Sequence, residues 1–181
     1  MKIEDLLAKK KSTILKRWFA LLAETYPPDT SKFLKKQKDK FANPVGEAVI
    51  YGLEGVYDEL RGGMDAERLA HFLDRIIRVR ALQKFTPSQG LNFIFQLKGL
   101  IREVLNKDIQ KEGLFEEMTV MDVRIDKLAL LAFDVYAACL EKLYEIRVND
   151  EKRKLHMLLR KANLLIEVEE AEVELPDLRN D

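Results

Sequence analysis

The stretch MTVMDVRIDKLALLAFDVYAACLEKL, Met118 to Leu143, decides the fold class. Within it Ile125, Leu128, Leu131, Val135, Cys139 and Leu143 recur at intervals of three and four, which stacks side chains on one face of an α-helix. No Pro or Gly interrupts the chain from Met118 to Pro176, so a long helix is expected. The most apolar part, Leu128 to Cys139, contains Asp134, and no stretch approaches the ~18 uncharged apolar residues of a membrane span. It reads as a buried core helix. Farther on, Leu155, Leu158, Ala162 and Leu165 keep a,d spacing and are the candidate dimerisation positions, although the run is shorter than a coiled coil requires. A bend or frayed turn is expected near Asn149-Asp150.

Upstream, helix signals follow one another. Ile3, Leu6, Leu7, Ile14, Leu15, Trp18, Leu22 and Tyr26 share a helical face, and Pro27-Pro28 stops it. A short helix around Phe33, Leu34 and Gln37 is expected next. Asn43-Pro44 is a helix start, with a capping side chain and a proline where no N–H is missed. That helix carries Val45, Val49, Leu53, Val56 and Leu60 and is expected to end in a left-handed turn at Gly62-Gly63. Ala48, Gly52 and Gly55 on one side of it predict a closely packed neighbour. Asp65 caps a helix through Leu69, Leu73, Ile76 and Ile77. Thr86-Pro87-Ser88-Gln89 is a capping box opening a helix through Leu91, Ile94, Leu97, Ile101 and Leu105, broken near Glu112-Gly113. Partial alternation from Ile166 to Leu175 is too acidic to read as a strand, and a frayed helix or disordered tail is expected.

The expected fold class is therefore all-α: a single-domain bundle of five to seven helices with a long C-terminal helix projecting beyond it. Residues 1–148 form the helical domain, 149–166 a helical extension and 167–181 an acidic tail. A chain of 181 residues with 47% hydrophobic side chains can bury a core without metals or disulfides. The formal charge is zero, so no net field draws nucleic acid or an anionic membrane. Charge is uneven, however: residues 1–40 hold eleven Lys/Arg against five Asp/Glu, a net +6, and 164–181 one Arg against seven acids, a net −6. The lone Cys139 excludes an intrachain disulfide, and acids at Glu4 and Asp5 interrupt any signal-peptide core, so a cytoplasmic protein is expected.

Reactive groups are sparse. Ser12, Ser31 and Ser88 sit at helix starts or polar faces, outside any Gly-x-Ser-x-Gly turn. Cys139 has no His at short helical spacing and reads as a small core side chain. His71 and His156 belong to no metal-ligand pair, and His71 lies between Arg68 and Arg75. No glycine-rich phosphate loop is present, so no catalysis, metal or cofactor is expected. Two basic stretches remain. Lys35, Lys36, Lys38 and Lys40, beside Lys32, form a solvated face or a dock for an acidic partner or phosphate. Arg75 and Arg78, with Arg80, interleave with Ile76, Ile77 and Val79, and either pair with Asp39, Asp74 or Glu47 or bind an anion.

One resemblance joins these pieces. Arg17-Trp18, Tyr26-Pro27-Pro28-Asp29-Thr30, and the run from Phe33-Leu34-Lys35-Lys36-Gln37 to Asn43-Pro44-Val45-Gly46 carry it. So do Gly52-Leu53-Glu54-Gly55, Arg75-Ile76-Ile77-Arg78-Val79-Arg80 and Phe85-Thr86-Pro87-Ser88-Gln89. In that order, over about residues 5–145, they resemble the N-terminal sensory domain of the RsbT co-antagonist RsbRD family, stressosome-type regulators. The resemblance implies a dimeric, haemless globin-like helical sensor of stress signalling. Residues 146–181 are too few for the STAS output domain that often follows, so none is expected within this sequence.

Three functions follow as expectations. The first is a non-catalytic module binding a protein partner as a homodimer, without nucleic acid or membrane. The second is a sensor of a small ligand or anion, with an interhelical pocket containing Trp18, Phe93 and Phe95. The third is an enzyme built on the cluster near Asp39 and Arg78, for which the sequence offers least.

Overall fold

The computed structural model describes residues 2–36, 43–83, 85–162 and 164. Six helices are found among them: α1 (Ile3–Glu24), α2 (Pro28–Lys36), α3 (Pro44–Arg61), α4 (Ala66–Leu82), α5 (Pro87–Glu112) and α6 (Phe115–Lys161). No strand occurs among the described residues. The fold is all-α with a long last helix, as the apolar periodicity requires. The chain divides into two units, Met1–Leu143 and Tyr144–Asp181.

Local chemistry sets the helix ends. The Asn43 side chain accepts from the Gly46 N–H at 2.9 Å, leaving Pro44 in the first turn where its missing donor costs nothing. Thr86 and Gln89 form the reciprocal box: Gln89 N–H donates to Thr86 Oγ1 at 3.3 Å and Thr86 N–H to Gln89 Oε1 at 3.1 Å. Gly113, at φ 71°, ends α5 in the left-handed conformation. The turn after α3 departs from expectation. Gly62 has φ −100°, and the positive φ of 54° falls on Met64. Met64 N–H closes the turn on Glu59 O at 3.1 Å while its side chain packs against the core, so burial outweighs the backbone preference there.

Within the first unit α3 packs most extensively on α4, and α1 on α5. A Cβ at Gly52 would lie 2.6 Å from Ile76 Cγ1, so the glycine permits the close α3/α4 approach that its position predicts. Trp18, Tyr57, Phe93 and Tyr136 are fully enclosed in one core with Leu6, Leu7, Leu53, Leu97 and Ile125. α6 supplies Met118, Met121, Ile125, Leu128, Ala132 and Tyr136 to that core. In the second unit α6 continues unbroken through Asn149-Asp150 to Lys161, so the helix does not fray there. No helix among the described residues is long and apolar enough to cross a membrane.

Candidate interaction surfaces

Two grooves open on the first unit. The α1/α3 groove, about 580 Å³, has Leu15, Phe19, Ile50 and Leu53 along its floor. Lys9, Lys11 and Lys16 stand on its α1 rim and Glu54 on the α3 side. This asymmetry is written in α1, which carries five cations and no acid from Leu6 to Ala23. Lys11 is held by both carboxylate oxygens of Asp58, at 2.7 and 2.8 Å. The α5/α6 groove, about 600 Å³, is more apolar, with Pro87, Leu91, Phe95, Ala129, Leu130 and Phe133 in its walls. Phe95, Leu130 and Phe133 are each more than half exposed, a poor use of large apolar side chains unless something covers them.

The described members of the two basic stretches have separate partners. Lys35 pairs with Glu24 at 3.0 Å, and Lys36 lies in the last turn of α2. Lys38, Lys40 and Asp39 fall outside the described residues. Arg75 lies over the Tyr51 ring at 4.8 Å, and Arg78 pairs with Asp74 at 2.7 Å. Among the candidate dimer positions, Leu155 and Leu158 are exposed on α6, Ala162 is in the turn that follows, and Leu165 lies outside the described residues. Trp18 and Phe93 do not line a pocket with Phe95. They pack together at 5.9 Å between ring centroids, fully buried, while Phe95 faces solvent on the other side of α5.

Arg80, which interleaves with Ile76, Ile77 and Val79 in the sequence, is fully buried. Nε donates to Gly90 O at 2.9 Å, one terminal nitrogen to Gln89 O at 2.7 Å and the other to Thr25 Oγ1 at 3.1 Å. The Phe85 and Tyr26 rings flank the guanidinium at 4.3 and 5.3 Å. Burial pulls its pKa down, opposed by Tyr26 and Tyr136; burial likewise pushes the Tyr26 phenol up, opposed by Arg80. No carboxylate among the described residues pairs with it. Trp18 Nε1 donates to Phe93 O at 2.7 Å, and Tyr136 hydroxyl to Phe85 O at 2.5 Å. These bonds pin α1, α4, α5, α6 and the loop before α5 to one point. Glu59, 5% exposed, does the same at the α3/α4 corner through Arg68 at 2.5 Å and Asp65 N–H at 3.3 Å. Both residues were legible in principle: Arg80 lies on the face of Leu73, Ile76 and Ile77, and Glu59 on that of Val56 and Leu60.

The model of the RsbT co-antagonist protein rsbRD N-terminal domain matches residues 12–149. The chain belongs to this family. The match takes in the helical unit up to Leu143 and both grooves' walls almost entirely, beginning after Ala8, Lys9 and Lys11. Nothing among curated proteins or solved structures matches the chain. As an RsbRD N-terminal domain it is part of a regulatory family associated with stress signalling.

Proposed function

We propose that this RsbRD N-terminal domain is a non-catalytic, cytoplasmic signalling module that works as a homodimer and binds a protein partner. The observation that carries the reading is the α1/α3 groove, where an apolar floor is edged by lysines on one side. Such a surface suits an amphipathic helix with acidic residues along one flank, its apolar face inward. From Ala8 to Phe19 the groove follows about three turns of α1, roughly 16 Å at 1.5 Å per residue. A small anion would satisfy only the rim and leave Phe19 and Ile50 in water.

The test compares native-lysate capture by the wild-type chain and by Ile50→Glu, whose site is 43% exposed and so tolerates the change. A partner retained by the wild type and lost with Ile50→Glu, at unchanged melting temperature, supports the reading. Equal capture by both, or a thermal shift with small metabolites that the substitution does not alter, counts against it.

A further inference from the structure

The zero formal charge of the chain hides a local excess in its second unit. From Lys152 to Ile166 the sequence holds Lys152, Arg153, Lys154, Arg160 and Lys161 and no acid, with Glu151 and Glu167 bounding the run. Within it Leu155, Leu158 and Leu159, three and four residues apart, share one face of the last turns of α6. Leu155 is 57% and Leu158 63% exposed. At 3.6 residues per turn Lys154 and Lys161 fall along one edge of that face and Lys152 along the other. Lys154 pairs with Glu151 at 2.7 Å, and the other four cations have no ion-pair partner among the described residues.

We propose that this end of α6 binds an anionic lipid surface, lying in the plane of the interface with its leucines inward. An apolar stripe edged by lysines suits that setting: the leucines enter the acyl boundary while the lysine stems run along it and carry their ammonium groups to the phosphates. A protein groove fits less well. Protein interfaces draw their binding energy from aromatic anchors and are depleted in lysine, and from Glu145 to Asp181 the sequence has no Phe, Trp or Tyr. Nucleic acid would take up the cations and leave the leucines in water. A second copy of the same helix would cover the leucines but offer no acid between Lys152 and Ile166 to answer the lysine edges. A bilayer with anionic headgroups meets both requirements at once. The residues involved are distinct from those of the α1/α3 groove, so the proposal stands or falls independently of the partner reading above.

Co-sedimentation of the full chain with vesicles tests this. Partition onto vesicles of equal parts phosphatidylcholine and phosphatidylglycerol should exceed that onto pure phosphatidylcholine by roughly tenfold or more, and should fall as salt is raised. The double variants Leu155→Glu/Leu158→Glu and Lys154→Glu/Lys161→Glu should each lose roughly tenfold or more of this partition. Both should leave the melting temperature unchanged, since these side chains lie outside the core. Lys9→Glu/Lys16→Glu, on the α1 rim, should bind as the wild type does. Absence of binding, or equal binding to both kinds of vesicle, overturns the proposal. So does binding that survives the leucine changes or is lost with the α1 reversals. Sedimentation equilibrium without lipid supplies the remaining check: a dimer abolished by Leu155→Glu/Leu158→Glu assigns the stripe to a second copy and overturns the lipid reading.

Discussion

Arg80 brings a permanent positive charge into a site with no solvent exposure, and its surroundings show how that is tolerated. Three oxygens, from Gln89, Gly90 and Thr25, accept from it, and two aromatic faces close over its plane. The arrangement joins the end of α4 and the start of α5 to the turn after α1, which is distant in sequence, yet a buried cation carries a desolvation penalty that an apolar side chain would avoid. Two substitutions separate these effects. Arg80→Ala leaves a cavity among Tyr26, Phe85 and Phe93 and removes the three bonds, so it should destabilise the fold by about 3–5 kcal/mol. Arg80→Met fills much of the volume and carries no charge, so its loss should be smaller, about 1–3 kcal/mol. Urea unfolding followed by circular dichroism measures both. Equal losses would mean that the hydrogen bonds, rather than the filled volume, account for the residue's contribution.

α5 shows how one residue type acts oppositely at two places in one element. Gly90 and Gly99 both cost helix propensity, but a Cβ at Gly90 would lie 2.5 Å from Tyr136 Cε2, whereas one at Gly99 meets nothing within 4 Å. Gly99→Ala should therefore stabilise by about 0.5–1 kcal/mol. Gly90→Ala should destabilise by roughly 1–3 kcal/mol, because Tyr136 is fixed by its bond to Phe85 O and cannot step aside freely. Thermal melts of the two variants should move in opposite directions. The helices and most of their ends were legible because caps and apolar spacing are local: Asn43, Asp65, Thr86 and Gly113 act within one turn. The grooves were not legible. Leu130 and Phe133 belong to an apolar run whose buried members, Leu128 and Ala132, already explain a core helix, and only the neighbours in space reveal which side faces out. The lysines were legible as charge, but the apolar floor beneath Lys9, Lys11 and Lys16 comes partly from α3, remote in sequence.

At the scale of the molecule, the two units differ in what stabilises them. The first buries a continuous core from Ile3 to Tyr136, and its backbone hydrogen bonds break only when that core opens. Helical residues 144–161 have no fully buried side chain; Tyr144, Ile146, Val148, Leu155 and Leu158 are each at least half exposed. Local pairs such as Lys154–Glu151 at 2.7 Å remain, and an exposed ion pair of this kind contributes only a few tenths of a kcal/mol. A helix of that length held by propensity alone is marginal in water. Hydrogen exchange should therefore show amides between 145 and 160 exchanging far faster than those of α1, α3 and α5 at concentrations where the chain is monomeric. Raising the concentration then tests the candidate dimer positions: if Leu155 and Leu158 make the contact, the last turns of α6 slow. Protection of 145–160 equal to the core even in the monomer would show that these apolar side chains are already covered, and the marginal-helix argument would fall.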